Sequence, residues 1–141
     1  MYTNFAPNPA DAVPEEIRIQ RRHLESGRRV LSTNHIVAIP AGRYQGVGGA
    51  VIEADLQVKF SRKRKHGSFT EMQDGVAIAA LVRCAGNGCA DQEHQVPATD
   101  AVPLSADADE ASAAALAPLA AARKWAQQHA ETCRALPYNG R

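Results

Sequence analysis

Ile52-Glu53-Ala54-Asp55-Leu56-Gln57-Val58-Lys59-Phe60 alternates without a fault, apolar at every even position and polar or charged at every odd one. Successive side chains of an extended chain point to opposite faces, so this pattern predicts a strand with one buried and one wet face. Such one-sided strands belong to antiparallel sheets. The neighbouring segments agree. Val30 to Ile39 reads as a strand ended by Pro40-Ala41-Gly42, and Gly46-Val47-Gly48-Gly49 reads as the β turn that joins it to the alternating stretch. Downstream, Ser61 to Gly67 is a polar, basic turn, Ser68 to Met72 a short strand and Gln73-Asp74-Gly75 a second turn. Val76 to Arg83 is apolar on both faces, as expected of a central strand or one lying beneath a helix.

Helical signals flank this β region. Residues 1–13 lack apolar periodicity and are expected to form a flexible tail, leaving 14–141 as a single domain. Pro14-Glu15-Glu16 suits a first helical turn, with carboxylates beside the positive end of the helix dipole, and Gly27 stops the short helix that follows. Near the other end, Asp107 and Glu110 have the spacing of a capping box before an alanine-rich run that favours helix to about Ala135. Pro118 within that run predicts a kink or a restart. The fold class is therefore α+β: a small antiparallel sheet packed by a C-terminal helix, with a short N-terminal helix and a zinc-finger-like knuckle.

Composition narrows the function. The chain has 141 residues, 5% aromatic, and a net charge of +1, which fits one globular domain with a thin core. A metal or an oligomeric interface is the usual remedy for such a core. No stretch approaches the roughly 18 apolar residues of a membrane span, and Met1 to Pro7 lacks the basic-then-apolar layout of a secretory signal. The expected location is the cytoplasm, or the virion if the chain is phage-encoded. The charge is unevenly spread. Residues 1–90 carry twelve basic and eight acidic residues, whereas 91–141 carry four and seven.

Three cysteines are too few for a disulfide framework. Cys84-Ala85-Gly86-Asn87-Gly88-Cys89 ends a predicted strand, and its two glycines let the backbone turn tightly enough to aim both sulfurs at one point. His129 and Cys133, four apart on a predicted helix, share a face one turn apart. Together Cys84, Cys89, His129 and Cys133 form a Cys3His set suited to a structural zinc ion, with His94 as a substitute ligand. The competing reading makes Cys84 and Cys133 small core residues, with His129 beside Trp125. A redox-active Cys84 and Cys89 pair is less well supported, because the spacing of that motif is missing. The 39 residues between Cys89 and His129 also exceed the dozen or so of common fingers.

The ending Trp125-Ala126-Gln127-Gln128-His129-Ala130-Glu131-Thr132-Cys133-Arg134, following a cysteine knuckle, resembles small zinc-finger-like proteins of actinobacteria and their phages. The likeness covers about the last 65 residues. It implies a metal fold and no particular activity.

Lys59, Arg62, Lys63, Arg64 and Lys65 form a basic run that could track phosphates, although a solvated turn is the favoured reading, since the net charge is only +1 and no aromatic residue within the run could stack a base. The glycines at 46, 48 and 49 do not open a helix, so they make no dinucleotide site. No catalytic motif or small-molecule site is recognisable. The sequence favours a non-enzymatic, zinc-stabilised binding module for nucleic acid or a protein partner. The alternative is a self-associating structural or assembly protein, such as a phage component.

Overall fold

A computed structural model describes residues 8–25, 34–64, 72–98 and 101–137. Helix α1 (Pro9–Glu25) precedes three long strands, β1 (Asn34–Gln45), β2 (Val51–Arg64) and β3 (Met72–Cys84). Short strands β4 (Gly86–Asn87), β5 (Glu93–Val96) and β6 (Ala101–Pro103) lead to helix α2 (Ala108–Thr132), and β7 (Leu136–Pro137) follows it. The main sheet is antiparallel in the order β1-β2-β3-β5, with β6 also pairing with β3. β5 lies against Ala80–Arg83 and β6 against Gly75–Ala77, so they share the far edge of β3. No helix among the described residues is long and apolar enough to cross a membrane.

The alternating stretch sits where its pattern requires. Ile52, Ala54, Leu56, Val58 and Phe60 are buried under the helices, while Glu53 and Lys59 are exposed on the open face. β3 is central, as its two apolar faces require. Against the sheet α2 sets Ala111, Ala115, Leu119, Ala122 and Ala126, all buried. Alanine lets the helix approach closely but removes little apolar surface per residue, at about 25 cal/mol per Å².

Two arginines fasten the layers. Pro40 does not end β1; the strand continues through a bulge between Pro40 and Gly42. Proline is tolerated there because β1 is an edge strand, which pairs with β2 alone among the described residues. The carbonyl of Ala41, in the bulge, accepts the Arg123 guanidinium of α2 at 3.1 and 3.3 Å. Arg21 of α1 likewise donates to the carbonyls of Leu104 and Ala106 before α2.

Several sequence expectations are corrected. α1 begins at Pro9, so residues 9–13 belong to the domain, with Ala10 and Val13 fully buried. Asn8 caps it, its Oδ1 accepting the Ala10 N–H at 3.1 Å, and Pro14 lies inside the helix at the cost of one backbone bond. Residues 1–7 lie outside the described residues. Ser61 to Arg64 and Gln73 to Gly75 are paired strand residues rather than turns, because β2 and β3 stay in register out to Arg64 and Met72. Of the two outcomes expected at Pro118, the restart does not occur: α2 is one helix over 25 residues, with Pro118 inside it and Asp107 as its cap. Residues 30–33 and 65–71 lie outside the described residues.

Candidate metal centre

Cys84 and Cys89, the first candidate ligand pair, are placed by backbone constraints at the end of β3. The Cys84 N–H donates to the Gln92 carbonyl at 2.8 Å, and the Ala85 N–H to Val51 at 2.9 Å, which fixes the start of the knuckle. Gly86 then passes so close to its neighbours that an added Cβ would come within 2.5 Å of the Ala135 Cβ and 3.2 Å of the Cys84 sulfur. Gly88 has φ +78°, in the left-handed region, and turns the chain so that Cys89 folds back towards Cys84. Gly86 and Asn87 also pair with Pro137 and Leu136, joining the knuckle to the chain that leaves α2.

The second pair comes from the end of α2. His129 occupies the last turn and Cys133 is the C-cap, its N–H donating to the His129 carbonyl at 2.7 Å. This end is itself capped by the turn between β1 and β2. Val47 N–H donates to the Ala130 carbonyl at 3.0 Å, and Gly48 N–H to the Cys133 carbonyl at 3.1 Å. Carbonyls at a helix C-terminus lack intrahelical donors, so these bonds supply what the helix cannot. Sequence reasoning identified Gly46–Gly49 as a turn but missed this capping role. Three glycines in four positions were the available signal, since they permit a close backbone approach.

The two pairs meet at one point. Cys84 Sγ lies 3.8 Å from Cys133 Sγ, which lies 3.9 Å from Cys89 Sγ, and Cys89 Sγ is 3.4 Å from His129 Nε2. All four donor atoms lie within 4.8 Å of one another. A tetrahedral zinc ion would separate two sulfur ligands by about 3.8 Å and a sulfur from an imidazole nitrogen by about 3.6 Å. The spacing therefore suits one ion, whereas a two-iron cluster would distribute its ligands over two metals. No disulfide joins the three cysteines. Core packing accounts for Cys84 and Cys133, which are buried, but not for Cys89 and His129. Those two are half-buried, yet they direct a sulfur and a nitrogen to the same point as the buried pair.

Electrostatics fit a cation at this point. Burial pushes the Cys84 thiol up to about 11, opposed by the Gly86 N–H and reinforced by the Cys133 and Cys89 sulfurs. On its own the Cys84 thiol thus favours the neutral form. A bound divalent cation would invert this by stabilising the deprotonated ligands.

His94 takes a different place from the substitute-ligand role. Its ring stacks on Trp125 with centroids 4.8 Å apart and planes 2° apart, and Trp125 stacks on His129 at 4.6 Å and 10°. Trp125 therefore separates His94 from the His129 ring, and His94 is outside the cluster.

The basic run is far from this centre. Ile52 pairs with Cys84 at one end of the hairpin, and Arg64 pairs with Met72 at the other. Twelve residues of strand separate those ends by about 40 Å. Lys59 is exposed on β2, Arg62, Lys63 and Arg64 continue that strand, and Lys65 lies outside the described residues. No family model, curated protein or solved structure matches the chain. The functional reading consequently rests on this geometry.

Proposed function

We propose that the protein is a small zinc-stabilised binding module with no catalytic role for the metal. The observation that carries this reading is the convergence of four donor atoms within 4.8 Å from two separate parts of the chain. Four protein ligands would close a tetrahedral site, whereas hydrolytic zinc keeps a position for water. The ion would act as a cross-link between the end of β3 and the end of α2, adding stability to an alanine-rich core. Zinc suits the mixed sulfur and nitrogen donors, and metal analysis distinguishes it from iron.

The favoured partner is nucleic acid, contacted by Lys59, Arg62, Lys63, Arg64 and Lys65 at the hairpin end. A basic segment of this kind binds phosphates with an affinity that falls steeply with salt. The rival role is self-association, favoured by the unpaired edge of β1 among the described residues and by exposed Ile36 and Leu136.

The deciding measurement is elemental analysis of protein purified without added metal, together with a melting curve of the parent and of Cys133→Ser. One zinc per chain and a large fall in melting temperature in the variant are expected. Absence of zinc, or an unchanged melting temperature, would sink the metal reading. Duplex and single-stranded nucleic acids at several salt concentrations then separate the partner classes: salt-sensitive binding supports the module, and large oligomers that ignore nucleic acid support assembly.

A further inference from the structure

Cys84 and Cys133 are buried, whereas Cys89 and His129 are half-buried at the rim. Beside that rim is an open cleft of 290 Å³, lined by Gly88, Cys89, Asp91, His129, Thr132 and Cys133 among others. Of the two cysteines that line this cleft, Cys89 is half-buried and Cys133 buried, so Cys89 is the more accessible to a small polar solute. The Cys133 sulfur lies 3.9 Å from that of Cys89. Cys133 lies past the last residue of α2 in extended backbone, φ −70° and ψ 115°, held by hydrogen bonds to His129 and Gly48, while Cys84 is fixed in the sheet opposite Ile52.

We propose that Cys89 is an oxidation site for small hydroperoxides and that Cys133 resolves it, so the cluster releases its metal as a disulfide forms. The inference rests on the metal reading above. The Cys89 thiolate attacks one peroxide oxygen, the O–O bond breaks, and a sulfenic acid forms as hydroxide leaves and takes a proton to become water. The Cys133 thiolate then attacks the Cys89 sulfur, the S–O bond breaks, and a second hydroxide takes a proton. In all, two thiolates, one hydrogen peroxide and two protons give one disulfide and two waters, the thiolates losing two electrons and the peroxide gaining them. Two of the four ligands are then bonded to each other, and His129 and Cys84 alone hold a divalent ion weakly. A dithiol reductant reverses the step by thiol–disulfide exchange.

The test uses the full chain loaded with zinc and titrated with hydrogen peroxide, with released metal read by a chromogenic chelator and remaining thiols alkylated for mass spectrometry. Fragment sequencing is needed to assign the bond, because no Lys or Arg separates Cys84 from Cys89. Expected are one zinc released per Cys89–Cys133 disulfide, Cys84 alkylated, and recovery of binding with dithiothreitol and zinc. In Cys133→Ser, oxidation should stop at a sulfenic acid on Cys89, trapped by dimedone. A disulfide made chiefly by Cys84, or over-oxidised Cys89 with no disulfide, would overturn the proposal. Zinc content measured before peroxide reports separately on the metal reading, and in a chain that held none the disulfide map would still decide which pair forms.

Discussion

Gly48→Ala places one methyl group where the chain leaving α2 already runs. Its Cβ would sit 2.3 Å from the Arg134 carbonyl oxygen, 2.4 Å from the Arg134 carbonyl carbon and 2.5 Å from the Ala135 oxygen. Ordinary contact needs about 3.5 Å, so turn and helix end must separate by about 1 Å. That movement breaks the Val47 to Ala130 and Gly48 to Cys133 bonds, each contributing about 1 kcal/mol, and adds overpacking of about 1–3 kcal/mol. The expected destabilisation is about 3–5 kcal/mol, which lowers the melting temperature by roughly 10–15 °C for a domain of this size. Metal should be affected too, because ligand distances tolerate about 0.2 Å and Cys133 directly precedes the displaced Arg134. Thermal melts and competitive zinc titration read both effects. Gly75→Ala is the control, since its Cβ would meet only the Ser61 hydroxyl at 3.6 Å. A Gly48→Ala protein that melts within about 2 °C of the parent and keeps its full zinc affinity would refute the capping role.

Two further outcomes are expected. Trp125→Leu removes the ring stacked on His129 and should weaken zinc binding by about tenfold while leaving the fold intact; equal affinity in a competition assay would show that the stack does not orient the ligand. Asp55→Asn should raise the melting temperature at neutral pH. Burial, then the neighbouring Glu53 charge, raises the Asp55 carboxyl above its ordinary 3.8, partly offset by Arg83. A raised folded-state value means that parent stability declines as pH rises through it, so the Asn advantage grows over that window and vanishes below pH 3.8. A pH-independent difference between the melting curves would contradict this account.

Most of the sheet was legible because β2 carries its own period, and the grouping of Cys84, Cys89, His129 and Cys133 was legible because Cys84–Cys89 and His129–Cys133 are each local in sequence. The remainder depends on contacts between distant segments. Residues 73–75 resemble a turn by composition, yet pairing with Ser61 to Lys63 keeps them in β3. Pro40 resembles a stop, yet an edge strand with a bulge accommodates it. β5 and β6 are too short to show a period, so the acidic stretch gave no sign that it pairs with β3. For the same reason nothing local announced that His94, brought in by β5, would stack on Trp125.

Cys84 and Cys133 stand 49 positions apart, which bears on how much sequence change the proposed metal centre can absorb. A covalent cross-link closing a loop of that size restricts the unfolded chain by about 4 kcal/mol, and a metal bridge acts in the same sense. Closure cost grows only with the logarithm of loop length, by about 0.6 kcal/mol per doubling. Insertions or deletions between β5 and α2 would therefore alter the centre little, provided that the sheet still delivers one ligand pair and the helix the other. Ligand spacing along the chain is consequently a poor guide to centres of this kind, and the register of β3 against the end of α2 is the better one.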